Sequence, residues 1–210
     1  MITAGLRYFS ALVVSVALFA CTHTQKKVRL LPYYGIRHYS DTLKDTVYHQ
    51  VLPFSMTDQF NQTVTLDSFR NKIFVANFFF VTCPGICRIM NNELELVAKN
   101  FAGDGNVKFV SYTVNPEQDT VEALAGYAKL HDAVPYQWYF LRGDRKATAM
   151  LAKASYNLET DGYLVHSQNL TLIDKEGHIR GVYSGTVPSE VTRLTADIKK
   201  LEEEEKQNGE

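Results

Sequence analysis

Ile73–Val81 (IFVANFFFV) is an apolar run broken only by Asn77, and Cys83-Pro84-Gly85-Ile86-Cys87 follows it after Thr82. A short continuous run of this kind, rich in aromatic and β-branched residues, reads as a strand buried on both faces of a mixed or parallel sheet. Downstream, Met90, Leu94, Val97 and Phe101 recur at helical spacing, so the cysteines stand where a buried strand gives way to a helix. Pro84 suits the first helical position, because its missing N–H has no partner there in any case. Cys83 is then expected at the N-cap, its sulfur facing the free N–H groups of Gly85 and Ile86 and the positive end of the helix dipole. Both favour thiolate over thiol. Cys87 follows one turn later on the same face. At that spacing Cβ atoms lie roughly 5–6 Å apart, wider than the about 3.5–4.5 Å of a disulfide. A cation between the sulfurs tolerates the helical separation better. Two thiolates form a soft donor set suited to Cu(I) or Zn, and a third ligand is expected. The bland alternative, a pair of buried structural cysteines or a static disulfide, has no need of such an electropositive position.

Working outward, Pro53–Thr57 and Val64–Leu66 read as short strands around a turn at Asp58–Gln62. Val107–Val114 is a second central strand, Glu117–His131 a helix, Trp138–Leu141 a third strand, and Asp144 caps a helix running to about Tyr156. Leu170–Asp174 and Ile179–Tyr183 flank Lys175-Glu176-Gly177-His178 as a hairpin, and a last helix starts near Ser189. The order is β-hairpin, βα, βα, β, α, β-hairpin, α. It implies an α/β domain over residues 47–203, with a mixed central sheet flanked by helices in the thioredoxin-like order. Residues 204–210, with Glu202–Glu205 just before and within them, read as a solvated acidic tail.

The N-terminal residues have a different character. Arg7 precedes a run from Tyr8 to Ala20 that is apolar apart from Ser10 and Ser15 and is shorter than the ~20 residues of a membrane span. Residues 1–20 therefore read as a signal peptide. Leu18-Phe19-Ala20-Cys21 resembles the lipobox of bacterial lipoproteins, which implies lipid on Cys21 and a domain held on the extracytoplasmic, periplasmic side of a bacterial membrane. Residues 21–46, mostly polar and basic, read as a lipidated tether, with Tyr33 and Tyr34 packing locally on the domain. Setting Cys21 aside as an anchor leaves Cys83 and Cys87 as a pair in an oxidising compartment. The formal net charge of -1 offers no basic field for a phosphate backbone, so nucleic acid is excluded as a partner.

Three segments together carry a family resemblance: FVANFFFVTCPGIC over 74–87, FVSYTVNPEQDT over 109–120 and HSQNLTLID over 166–174. With PFSMTDQ at 53–59 and DSFRNK at 67–72, they resemble the Sco/SenC family over roughly residues 50 to 200. The resemblance implies a thioredoxin-like fold and one copper ion, Cu(I) with Cu(II) left open, held by Cys83, Cys87 and His166. It also implies a role in assembling the dinuclear copper site of cytochrome c oxidase. The partners would be the oxidase subunit that carries that site, other copper carriers or thiol reductants, and the membrane through the lipid. This chain has Asn115 where the family usually has Asp, Val121 where it has Pro after the DT pair, and Arg88 where it has Pro after the second cysteine. Ser167-Gln168-Asn169 contains no counterpart of the thioredoxin cis-proline, which favours the copper-binding branch over a general oxidoreductase. His23, His38, His49, His131 and His178 carry no such positional match, and Met90 falls on the core face of its helix. The rival reading is an enzyme, a membrane-anchored thiol–disulfide reductase in which Cys83 attacks a partner's disulfide and Cys87 resolves the mixed disulfide.

Overall fold

The computed structural model describes residues 30–161, 164–165 and 167–208. Its centre is a five-stranded sheet in the order β11 (Ile179–Ser184), β10 (Asn169–Ile173), β5 (Ile73–Phe79), β6 (Val107–Thr113), β7 (Trp138–Leu141). Strands β5, β6 and β7 run parallel. Strand β10 pairs antiparallel with β5, and β11 antiparallel with β10. All seven residues of β5 are buried, as a central strand with both faces covered requires. Ile73, Val75 and Phe79 point to one core and Phe74, Ala76 and Phe78 to the other, the period-two alternation of a strand. The first core is closed by helices α1 (Ile86–Asn100), α2 (Val121–Leu130) and α4 (Pro188–Asn208). The second is closed by α3 (Arg145–Tyr156) and by the hairpin of β3 (Ser55–Thr57) and β4 (Thr63–Thr65).

Asn77, the polar break in the β5 run, lies on the first face and is fully bonded. It donates to Asn91 Oδ1 at 2.8 Å and accepts from Ser111 Oγ at 2.6 Å, while Trp138 Nε1 donates to Ser111 at 2.9 Å. A buried amide is tolerated only under such satisfaction.

Three expectations are corrected. The helix expected over Glu117–His131 starts at Val121, because Thr120 is its N-cap and accepts from the Ala123 N–H. Glu117–Asp119 form the preceding turn, with the N–H groups of Gln118 and Asp119 donating to Asn115 O. The stretch read as a tether is folded from Leu30 onward. Leu31 is in the first core, Tyr34 N–H donates to Ile179 O at 2.9 Å, and β1 (Arg37–Ser40) and β2 (Asp45–Tyr48) form an antiparallel hairpin. Tyr33 packs locally as expected, stacked on Tyr48 at 4.1 Å and under the Arg180 guanidinium at 4.1 Å. Lastly, residues 204–208 are no solvated tail. Helix α4 continues to Asn208, and Glu204, 2 % exposed, pairs with the buried Arg180 and accepts the Leu31 N–H at 3.0 Å. A carboxylate at that depth needs a buried cation, which the acidic run by itself does not announce.

Candidate metal centre

Strand β5 delivers the chain to a tight turn in which Cys83 N–H donates to Phe80 O at 3.2 Å. The helix begins later than the Pro84 signal suggests. Its N-cap is Gly85, and α1 starts at Ile86, so Cys83 lies in the turn ahead of the helix and Cys87 in its first turn. Pro84 and Gly85 add a residue of non-helical backbone that lets the chain fold the Cys83 sulfur back over the helix start. There the N–H groups of Gly85 and Cys87, rather than those of Gly85 and Ile86, and the Cys87 thiol favour the Cys83 thiolate. Neither cysteine is in a disulfide. Cys83 is half-buried and Cys87 buried.

The two thiols are electrostatically unequal. Burial pushes the Cys83 thiol up, but the hydrogen bond from Cys87 and those from the Gly85 and Cys87 backbone outweigh it and leave Cys83 below the ordinary cysteine value. Burial, and then the hydrogen bond it gives to Cys83, push the Cys87 thiol up to about 12. Within the pair Cys87 is the donor and Cys83 the acceptor. Both sulfurs line a cleft of about 440 Å³ with Phe80, Ile86 and Val114. Ser167 and Gln168, just ahead of β10, line the same cleft.

The turn is held from below by Asp119. This carboxylate is 1 % exposed, accepts from Val81 N–H at 3.2 Å and from the Thr113 hydroxyl, and thereby ties the ends of β5 and β6 together behind the cysteines. Burial raises its pKa against the hydrogen bonds from Thr113 and Val81. In the sequence it falls inside the stretch read as helix from Glu117, so its reach to the strand ends is not announced there.

His166, Cys21 and His23 lie outside the described residues. The other histidines stand apart from the sulfurs. His131 is buried with Nδ1 3.0 Å from Glu95 Oε2, His49 Nε2 is 2.8 Å from Ser155 O, and His38 is exposed on the β1–β2 hairpin. His178 stands in the β10–β11 turn with Asp174 and Glu176, the ligand atoms of the three within 4.8 Å of one another. Asp174 is already engaged there by the Arg180 guanidinium at 3.3 Å and by the N–H groups of Glu176 and His178, which gives that cluster a structural use. Met90 is fully buried in the first core, as its spacing implied. Arg88 is exposed beside the cysteines, and Asn115 bonds Arg145 at 2.8 Å and Gln118 at 2.9 Å rather than facing the sulfurs.

A family model described as SCO1/SenC matches residues 44–203. The SCO1 protein homolog of Bacillus subtilis (strain 168) is 24% identical over 164 residues, covering 75% of this chain and 85% of the relative. A SCO1/SenC family lipoprotein from Bacillus anthracis str. Ames superposes with a TM-score of 0.66 at 23% identity, over 73% of this chain and 95% of that one. The copper-bound ScoI of Arabidopsis thaliana superposes with a TM-score of 0.59 at 27% identity, over 72% and 98% of the two chains. The mixed sheet and its flanking helices are thus the thioredoxin-like fold of those proteins.

Proposed function

The chain belongs to the SCO1/SenC family, and on that footing we propose that it is a copper-binding assembly factor for the dinuclear copper site of a respiratory cytochrome c oxidase. Copper is its cargo, held by Cys83, Cys87 and His166. The observation that carries this reading is the thiol pair itself. One sulfur is poised toward thiolate and its neighbour donates a proton to it, both at the mouth of a cleft. A soft cation that displaces the thiol protons finds two sulfurs at a helix start, the donor chemistry that suits Cu(I). Ser167 and Gln168 on the cleft wall follow His166 directly in the chain, which supports an imidazole as third ligand. A three-coordinate soft site with one open side suits transfer by ligand exchange, in which an acceptor's sulfur enters before one of the original ligands leaves.

The inequality of the thiols favours a second reading for the same residues. The Cys83 thiolate would attack a partner's disulfide, forming a mixed disulfide and releasing one partner thiol. Cys87, once deprotonated, would displace the other, leaving the partner as a dithiol and Cys83–Cys87 oxidised. Copper titration of the Cys83→Ser, Cys87→Ser and His166→Ala proteins, followed by sulfur-to-copper charge-transfer absorption, separates the two. Loss of the band in each variant is expected. A band unchanged in His166→Ala would remove that ligand, and reductase activity surviving in His166→Ala with no copper requirement would favour the enzyme. The lipid on Cys21 is part of the same proposal, and mass spectrometry of the membrane-extracted protein tests it.

A further inference from the structure

The N-terminal segment is clamped at the end of the sheet away from the cysteines. Arg180 donates to Leu31 O at 2.7 Å and Pro32 O at 3.3 Å, Glu204 takes the Leu31 N–H, and Val51 N–H donates to Gly177 O at 2.9 Å. These contacts gather at the β10–β11 turn, where Ile173 pairs with Phe74 near the start of β5. The cysteines follow the other end of β5, about 20 Å along a seven-residue strand. From the clamp the chain turns at Gly35, whose φ of +94° and whose Cα, so close that a Cβ would stand 2.7 Å from His49 Cβ, admit only glycine. It then enters the β1–β2 hairpin.

This hairpin is unusual for a solvated surface. Ile36 is 81 % exposed, Tyr39 60 % and Leu43 70 %, and Leu30 at the entry is 59 % exposed. Within Ile36–Tyr48 the cations Arg37 and Lys44 are balanced by Asp41 and Asp45, and the positive excess stands in the adjoining chain at Lys26, Lys27 and Arg29. Aliphatic tips, a tyrosine and local positive charge are the composition that settles at a lipid headgroup region. Leu30 follows Cys21 by nine residues, a reach of at most about 30 Å. An anchor at Cys21 therefore keeps this hairpin close to the bilayer.

We propose that the hairpin from Ile36 to Tyr48 is a membrane-contact surface that rests on anionic headgroups. The proposal rests on the lipid reading of Cys21. The full chain, reconstituted in vesicles of phosphatidylcholine with phosphatidylglycerol, is examined by hydrogen exchange over residues 36–48. Exchange there should be slower than in the Ile36→Ser/Leu43→Ser protein in the same vesicles, and high salt should reduce the difference. Arg37→Ser and Lys44→Ser should each weaken the protection by about fivefold at low salt. Equal exchange in wild-type and Ile36→Ser/Leu43→Ser vesicles overturns the proposal. So does protection that grows with protein concentration without lipid, which marks a second copy as the occupant. Hairpin protection with an unmodified Cys21 sinks the lipid reading alone, and protection with no copper uptake sinks the functional reading alone.

Discussion

At the scale of single residues, the site depends on a difference between two thiols that share a helix start. Cys83 is favoured as thiolate by the N–H groups of Gly85 and Cys87 and by the Cys87 thiol, whereas Cys87 is buried and keeps its proton. Iodoacetamide near neutral pH should therefore modify Cys83 well before Cys87, as peptide mapping after partial reaction will show. Copper uptake should also respond to pH. Cys87 keeps its proton up to about 12, so binding through its sulfur expels that proton across the neutral range. Affinity is then lowest in acid and rises by about tenfold per pH unit for each proton released. Competition against a Cu(I) chelator at pH 6, 7 and 8 measures this, and a flat profile would rule out ligation by Cys87.

At the scale of elements, two aspartates before helices do different work. Asp144 caps α3 by accepting the Ala147 N–H at 2.8 Å and touches nothing near the sulfurs. Asp144→Ala should cost about 1 kcal/mol, seen as a lower urea midpoint at unchanged slope, with copper binding intact. Asp119 leaves the capping of α2 to Thr120 and instead reaches across to Val81 and Thr113. Asp119→Ala strands a buried N–H and a hydroxyl, at a cost of about 1–3 kcal/mol, and frees the turn that carries Cys83. It should speed copper release to a chelator as well as lower stability. A loss of stability with unchanged release would make Asp119 a support of the sheet alone.

At the scale of the whole molecule, the ends of the chain are joined by charge. Arg180 sits between Glu204 of α4, Asp174 of the β10–β11 turn and the carbonyls of Leu31 and Pro32. Removing one partner of a buried pair costs about 3–5 kcal/mol, because the other is left uncompensated. Asp174 remains beside Arg180 in Glu204→Ala, so the lower end is expected there, with Tm falling by ~2–4 °C per kcal/mol for a chain of this size. Proteolysis should then open the segment before Gly35 first. An unchanged Tm would mean that α4 and the N-terminal strap are held by Leu31 and Leu201 packing alone.

The central strands, the existence and order of the helices and the thiol pair were legible in the sequence, while the starts of α1 and α2 and the end of α4 were not. The legible features rest on local signals: a run buried on both faces, helical spacing behind it, an aspartate at a helix start and a tight turn between two strands. The Trp138–Leu141 strand and the Asp144 cap coincide with their elements because nothing distant competes for those residues. Only the tertiary structure decided the roles of residues whose partners lie far along the chain. Glu204 reads as solvated until Arg180 is brought beneath it, Leu31 reads as tether until the first core receives it, and Asp119 reads as part of a helix until Val81 and Thr113 claim its oxygens. Burial of a charge or of the N-terminal segment is fixed by what packs against it, and partners contributed by other elements leave no periodicity to read.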